Sequence, residues 1–267
     1  MSIYTDIGPT DAAKVFTPQR AWLIFILRLG GLFICCGVIW LILNAVGFAP
    51  FPLSSLWNTL AILPINVLCF MLLRRWFSEA GLSLKDALGV RPGRISKDIA
   101  WGVLWIFATY IPFVVALTGA VFLFYGSDAP AAFETIFTPT PEETGFPPAI
   151  MLVVALVTII PFIAINAITE ELAYRGFVTT ALAPRFGLVG AYAVSTLFFG
   201  LQHIFFATSP LAVPIFFLAF TVWGAVAAII VHRQNRLLPI TIAHWVTNFV
   251  MSVPGIAIPI AQLAGAM

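Results

Sequence analysis

From Leu29 to Leu73 the chain runs 45 residues without an Asp, Glu, Lys or Arg. As one helix that stretch would be roughly 68 Å long, more than twice the apolar thickness of a bilayer. It has to fold back, and Gly47, Pro50 and Pro52 mark the reversal. This predicts a first membrane span over 21–44 and a second over 53–73. The rest of the 267 residues follows suit: 61% are hydrophobic, 9% are charged, and the mean hydropathy is +1.04. A soluble domain is about half apolar and about a quarter charged. The composition therefore excludes a water-soluble globular fold, a disordered chain and a nucleic-acid-binding module. Cys35, Cys36 and Cys69 fall inside apolar runs without ligand spacing and read as small hydrophobes.

Further spans follow at 99–124, from Pro148 past Glu170 to Leu182 (where Pro184 should stop the helix), at 187–206 and at 211–231. The last 31 residues form a seventh span and a short, proline-interrupted eighth. The fold class is all-α, a polytopic membrane helix bundle of seven to eight transmembrane helices in a single integral domain, 1–267. Residues 82–89 read as a short interfacial helix, 125–148 as a loop, and Thr208-Ser209-Pro210 as a turn. The basic residues Lys14, Arg20, the six between spans two and three, Arg175, Arg185, Arg233 and Arg236 fall on one side. The loops 45–52, 125–148 and 207–212 have none. The positive-inside rule then puts the N-terminus in the cytoplasm, with span one retained as a helix. Arg28 reads as a snorkelling residue and His232 as a solvated one.

Ionisable side chains inside a bilayer are costly and mark functional sites. Three lie within six residues, in Glu170-Glu171-Leu172-Ala173-Tyr174-Arg175; His203 follows in F-x-x-x-H after Phe199, and His244 in H-x-x-x-N before Asn248. They fall on three different helices, so convergence in one wet pocket is the economical expectation. Glu171 and Arg175 are i and i+4 in the favoured order and form a structural pair. Glu170 is rotated ~100° away, beside Asn166 and Tyr174, as the carboxylate without a cation of its own. That marks it as a general base, sharing a water with His203. His244 and Asn248 share a face and offer two donors to an oxyanion. Singly, each has a plainer reading: Phe199 as packing, and Asn248, Asn44, Asn66 and Asn166 as interhelical hydrogen bonders.

Taken in order, Glu170-Glu171-x-x-x-Arg175, Phe199-x-x-x-His203 and His244-x-x-x-Asn248 resemble the motif set of the CPBP intramembrane endopeptidases. That family includes the type II CAAX prenyl endopeptidases and bacterial proteins of bacteriocin processing or self-immunity. The motif-bearing core covers 150–250, and Asp86-Ala87-Leu88-Gly89-Val90-Arg91 resembles the lead-in before it. The resemblance implies a helical membrane core with a conical cavity. It implies water activation by Glu170 and His203, and oxyanion binding by His244 and Asn248. Glu171 and Arg175 would support the site. The implied partners are membrane lipid and a protein or peptide with a membrane-proximal or lipidated C-terminus, and not nucleic acid. The compact chain looks bacterial, in the cytoplasmic membrane.

A catalytic Zn2+ on Glu170, His203 and His244 is the other form this chemistry takes. The helical H-E-x-x-H signature is absent, and Asn248 suits an oxyanion better than a cation, so metal-free catalysis is favoured. Two rivals stand beside the peptidase: a non-catalytic immunity or scaffold protein of the same fold, and a proton-coupled transporter. The absence of an internal repeat counts against the transporter.

Overall fold

The computed structural model describes residues 13–48, 52–137, 146–207 and 209–266, and among these there is no strand. Pro50, Thr208 and part of the 125–148 loop lie outside the described residues. The elements are α1 (Pro18–Ala45), α2 (Ser55–Glu79), α3 (Leu84–Leu88), α4 (Ile95–Tyr125), α5 (Ala129–Phe137), α6 (Pro148–Glu170), a π-helical segment (Glu171–Val178), α7 (Thr179–His203), α8 (Ala212–Gln234) and α9 (Leu238–Leu263). Local chemistry sets several ends. Thr17 caps α1 by accepting from the Arg20 N–H, with Pro18 in the first turn. Ser83 and Asp86 form a capping box on α3, and Gly89 closes it at φ +72°. The Ser83 hydroxyl, and then its amide, hold the Asp86 carboxyl below its usual range. The expected interfacial helix is thus present, shorter than 82–89. The expected loop 125–148 holds a helix of its own, α5.

Among the described residues, six helical runs are long and apolar enough to cross a membrane. The longest, Pro148–Phe206, has 59 residues, which as a straight rod would be about 88 Å. It is not straight. Gly187 sits at φ +68°, ψ +167°, outside helical geometry, and the chain reverses there. The Ser195 hydroxyl donates to the Tyr174 carbonyl at 2.6 Å, and Gln202 reaches Glu170 at 2.6 Å, as two antiparallel arms require. Counted as a hairpin, the run makes two passes and the chain seven. The chain therefore reverses at Gly187, not at Pro184, which is accommodated inside the helix. Among the described residues there is no separate eighth span, because α9 stays helical through Pro254 and Pro259 for 26 residues. Membrane helices tolerate such prolines, since neighbours satisfy the freed backbone groups.

The packing places α6 between α2 and α9, and α7 between α1 and α8, with α4 against α8 and α9. Small residues allow the closest approaches. A Cβ on Gly200 would lie 2.1 Å from Thr221 Oγ1 and 2.9 Å from the Phe217 carbonyl; one on Gly102 would lie 2.6 Å from Ile242 Cγ2. Larger side chains fill the core around the π segment, where Phe177 meets Phe16, Trp76 and Phe77. The ion pairs Arg20–Glu79 and Arg236–Asp98 tie helix ends together at the end of the bundle that carries the basic residues. Replacing Gly200 with Leu should force α7 and α8 apart. The expected result is a lower melting temperature and loss of the monodisperse detergent-solubilised peak. Val189→Leu, at a residue 84% exposed, should change neither.

Candidate active site

The motif residues meet on the inner faces of α6, the π segment, α7 and α9. Leu238 begins α9 at the basic end, so His244 lies roughly 9 Å and Asn248 roughly 15 Å inward along it. Glu170 ends α6, and the π segment that follows carries Glu171 and Arg175. A π turn widens the helix and re-aims the side chains it carries, a common feature of functional sites.

Glu170 is fully buried. Its Oε1 accepts from Arg28 Nη2 at 2.7 Å and from Gln202 Nε2 at 2.6 Å. Its Oε2 is buried with no hydrogen-bond partner and lies 3.5 Å from His244 Nε2. One oxygen is therefore held and the other is left available. Glu171 Oε1 accepts from Arg175 Nη1 at 3.3 Å and lies 2.8 Å from His244 Nδ1. Glu171 is thus more than a partner for Arg175, because it also orients His244. The Arg175 guanidinium lies 4.1 Å over the Phe199 ring and 5.2 Å over Trp223, a cation–π stack that leaves Nη2 without a hydrogen bond. Gly224 makes room for it, since a Cβ there would lie 3.3 Å from Arg175 Nη2.

His203 directs Nδ1 at the Phe199 carbonyl, 2.7 Å away, and stacks on Phe220 at 3.8 Å. With Nδ1–H donating there, Nε2 of the neutral ring is an acceptor. Glu170 lies within electrostatic reach of both His203 and His244. Asn248 is on α9 one turn beyond His244, and its Nδ2 is a buried donor without a partner. Glu170, Glu171, Arg175, Phe199, His203 and His244 therefore converge. Asn248 is not bonded to any of them.

Two expectations need correction. Arg28 does not snorkel: it lies ten residues beyond Pro18, roughly 15 Å along α1, and is 1% exposed. Its guanidinium also reaches Asn66 Oδ1 at 3.2 Å and, through Nε, Gln202 Oε1. Glu170 therefore does have a cation, delivered from another helix. The site is also nearly closed rather than an open wet cavity: Glu170 and Glu171 are fully buried, His203 (8%) and His244 (4%) nearly so, and only Asn248 is half-buried. Sequence reasoning also missed Gln202, which accepts from the Tyr174 hydroxyl at 2.7 Å as well as donating to Glu170. Its place beside His203 was the available signal. The plain reading of Asn66 and Asn166 is what the structure has: they bond each other at 2.8 Å between α2 and α6.

Residues 149–250 match the family model of the Rce1-like proteins, described as type II CAAX prenyl endopeptidase Rce1-like. The chain carries an Rce1-like domain. Comparisons with curated proteins and with solved structures gave no match. The Rce1-like stretch contains every motif residue named above, but Arg28 and Asn66 come from α1 and α2, outside it. With its long apolar helices, the chain is an integral membrane protein, and its residues 149–250 are similar to this family.

Zinc was tested against the donor set. Among the described residues no group of three or more His, Cys, Asp and Glu side chains is arranged to hold a metal ion. Glu170 Oε1 is already taken by two donors, and a divalent cation on this carboxylate would sit beside the Arg28 guanidinium.

Breaking a buried ion pair from one side leaves an uncompensated charge and costs about 3–5 kcal/mol. Arg28→Met should therefore sharply reduce the yield of folded protein. The double variant Arg28→Met/Glu170→Gln, which removes both charges, should recover much of it. Thermal unfolding of the three purified proteins in one detergent checks this.

Proposed function

We propose that the protein is an intramembrane endopeptidase that hydrolyses a peptide bond by glutamate-activated water. The bond lies in a membrane-associated protein or peptide, prenylated or otherwise lipidated, near the basic end of the bundle. The observation that carries this reading is the state of Glu170: one oxygen is fixed by Arg28 and Gln202, and the other is unpaired beside His244.

The chemistry follows from the donors and acceptors. A water held between Glu170 Oε2 and His203 Nε2 gives a proton to the carboxylate as its oxygen bonds to the peptide carbonyl carbon. The carbonyl oxygen becomes an oxyanion that accepts from His244 Nε2–H and Asn248 Nδ2–H. With Nδ1–H donating to Glu171, Nε2 donates only from the imidazolium, and two carboxylates flank that ring to balance its charge. Collapse breaks the C–N bond, and the proton on Glu170 passes to the leaving amine. The orphaned Nδ2 of Asn248 supports the oxyanion role, since a buried donor without a partner is costly unless it is used. The Arg28 guanidinium on Glu170 supports a metal-free reaction. The near-closure of the site means that helices must part to admit a substrate. The basic end faces the cytoplasm by the positive-inside rule, which places the N-terminus there as well.

Arg28→Met/Glu170→Gln, which removes both charges of the buried pair, should abolish cleavage of a prenylated C-terminal reporter peptide while the protein still folds and inserts. Asn248→Ala should retain the fold and lower kcat about 10²–10³-fold, with a smaller effect on KM. 1,10-Phenanthroline should leave turnover unchanged. Full turnover in Arg28→Met/Glu170→Gln would refute the assignment, whereas inhibition by the chelator would refute only the metal-free form.

A further inference from the structure

The site above leaves unused a cleft at the basic end of the bundle, between the start of α4, the end of α8 and the start of α9. It measures about 380 Å³ and is lined by Arg91, Arg94, Asp98, Trp101, Arg236 and Pro239, among others. That volume falls within the range of small-molecule sites. Its walls are fixed. Arg236 is buried, pairs with Asp98, and donates from Nε to the Gly89 carbonyl at 3.1 Å. Gly89 packs directly on it, since a Cβ there would lie 3.3 Å from Arg236 Cγ. Asn235 turns the chain at φ +52° to bring Arg236 back across the start of α4.

Charge bookkeeping then singles out two residues. Arg236 and Asp98 cancel each other. Arg91 and Arg94 are exposed, and neither has a carboxylate partner among the described residues. The cleft therefore carries two uncompensated guanidinium groups, whose planar forks suit phosphate oxygens.

What lies beside the charge identifies the ligand. Trp101 forms part of the cleft, is 45% exposed and stacks on Trp105 at 5.1 Å. From Trp101, one face of α4 continues through Leu104 and Ile111, both large, apolar and exposed. In an apolar helix that crosses the membrane, such a stripe faces lipid tails, and tryptophan belongs at the headgroup boundary. A cationic cleft that opens onto an acyl-chain surface is shaped for an amphiphile with a phosphate at one end. We propose that Arg91 and Arg94 bind the phosphate of an anionic membrane phospholipid, with its acyl chain lying along Trp101, Leu104 and Ile111. Pro239 in the cleft wall is five residues before His244 on α9, so an occupied cleft braces the same helix that carries His244 and Asn248.

The test reads binding without using peptidase activity. Full-length protein is reconstituted in phosphatidylcholine vesicles containing a small fraction of spin-labelled phosphatidylglycerol or spin-labelled phosphatidylcholine. The motionally restricted fraction of each label is then measured. The expected result is several-fold enrichment of the phosphatidylglycerol label over the phosphatidylcholine label. Enrichment should fall to near unity in Arg91→Gln/Arg94→Gln. It should persist in Arg74→Gln/Arg75→Gln, which removes the same charge from the end of α2, and in Asn248→Ala. Equal restriction of the two labels in the unaltered protein would overturn the proposal. So would equal loss in the two arginine double variants, which would mean general surface charge. Displacement of the label by millimolar inorganic phosphate, at an ionic strength where chloride has no effect, would assign the cleft to a free anion instead.

Discussion

Everything at the centre of the molecule depends on a carboxylate and a guanidinium placed together without water. Glu170 and Arg28 are both buried, 2.7 Å apart, on helices far apart in sequence. Neither charge is tolerable there alone, so the pair obliges α1 to pack beside α7 and the π segment. The amides of Gln202, Asn66 and Asn166 and the hydroxyl of Tyr174 extend the hydrogen bonding around it, and Glu170 Oε2 alone of the pair's oxygens is left unpaired. A buried polar network that spans several helices specifies one arrangement of them, where lipid-facing packing alone would permit several.

The π segment has the complementary role. In a regular α-helix the acidic pair would diverge by ~100° and serve two separate neighbourhoods. Here Glu170 reaches back to α1 and forward to His244, while Glu171 holds the other nitrogen of the same imidazole. His244 is thus gripped by two adjacent residues of one helix. Phe199 links this group to the next: its carbonyl orients His203, and its ring supports Arg175.

Much of this was legible in the sequence, for identifiable reasons. The apolar runs are long, so their number and approximate limits follow from bilayer thickness. The Glu171–Arg175 pair follows from i, i+4 geometry, and the convergence of three motif helices from the cost of leaving each polar group alone. What escaped was non-local. Arg28 looks like an interfacial residue until the first turn of α1 is seen to start at Pro18, too far away for a side chain to reach the headgroups. Gln202 lacks the chemistry that draws attention to a histidine. The chain reversal at Gly187 was masked by Pro184, because a proline usually breaks a helix in water and here does not.

Arg28 comes from α1, and the family-matching stretch begins at residue 149. The family-matching region therefore borrows its counter-charge from a part of the chain that the family description does not span. An excursion of α1 that let solvent reach Glu170 would also carry away the guanidinium that balances it. Admission to the interior and electroneutrality within it are thus governed by the same N-terminal helix.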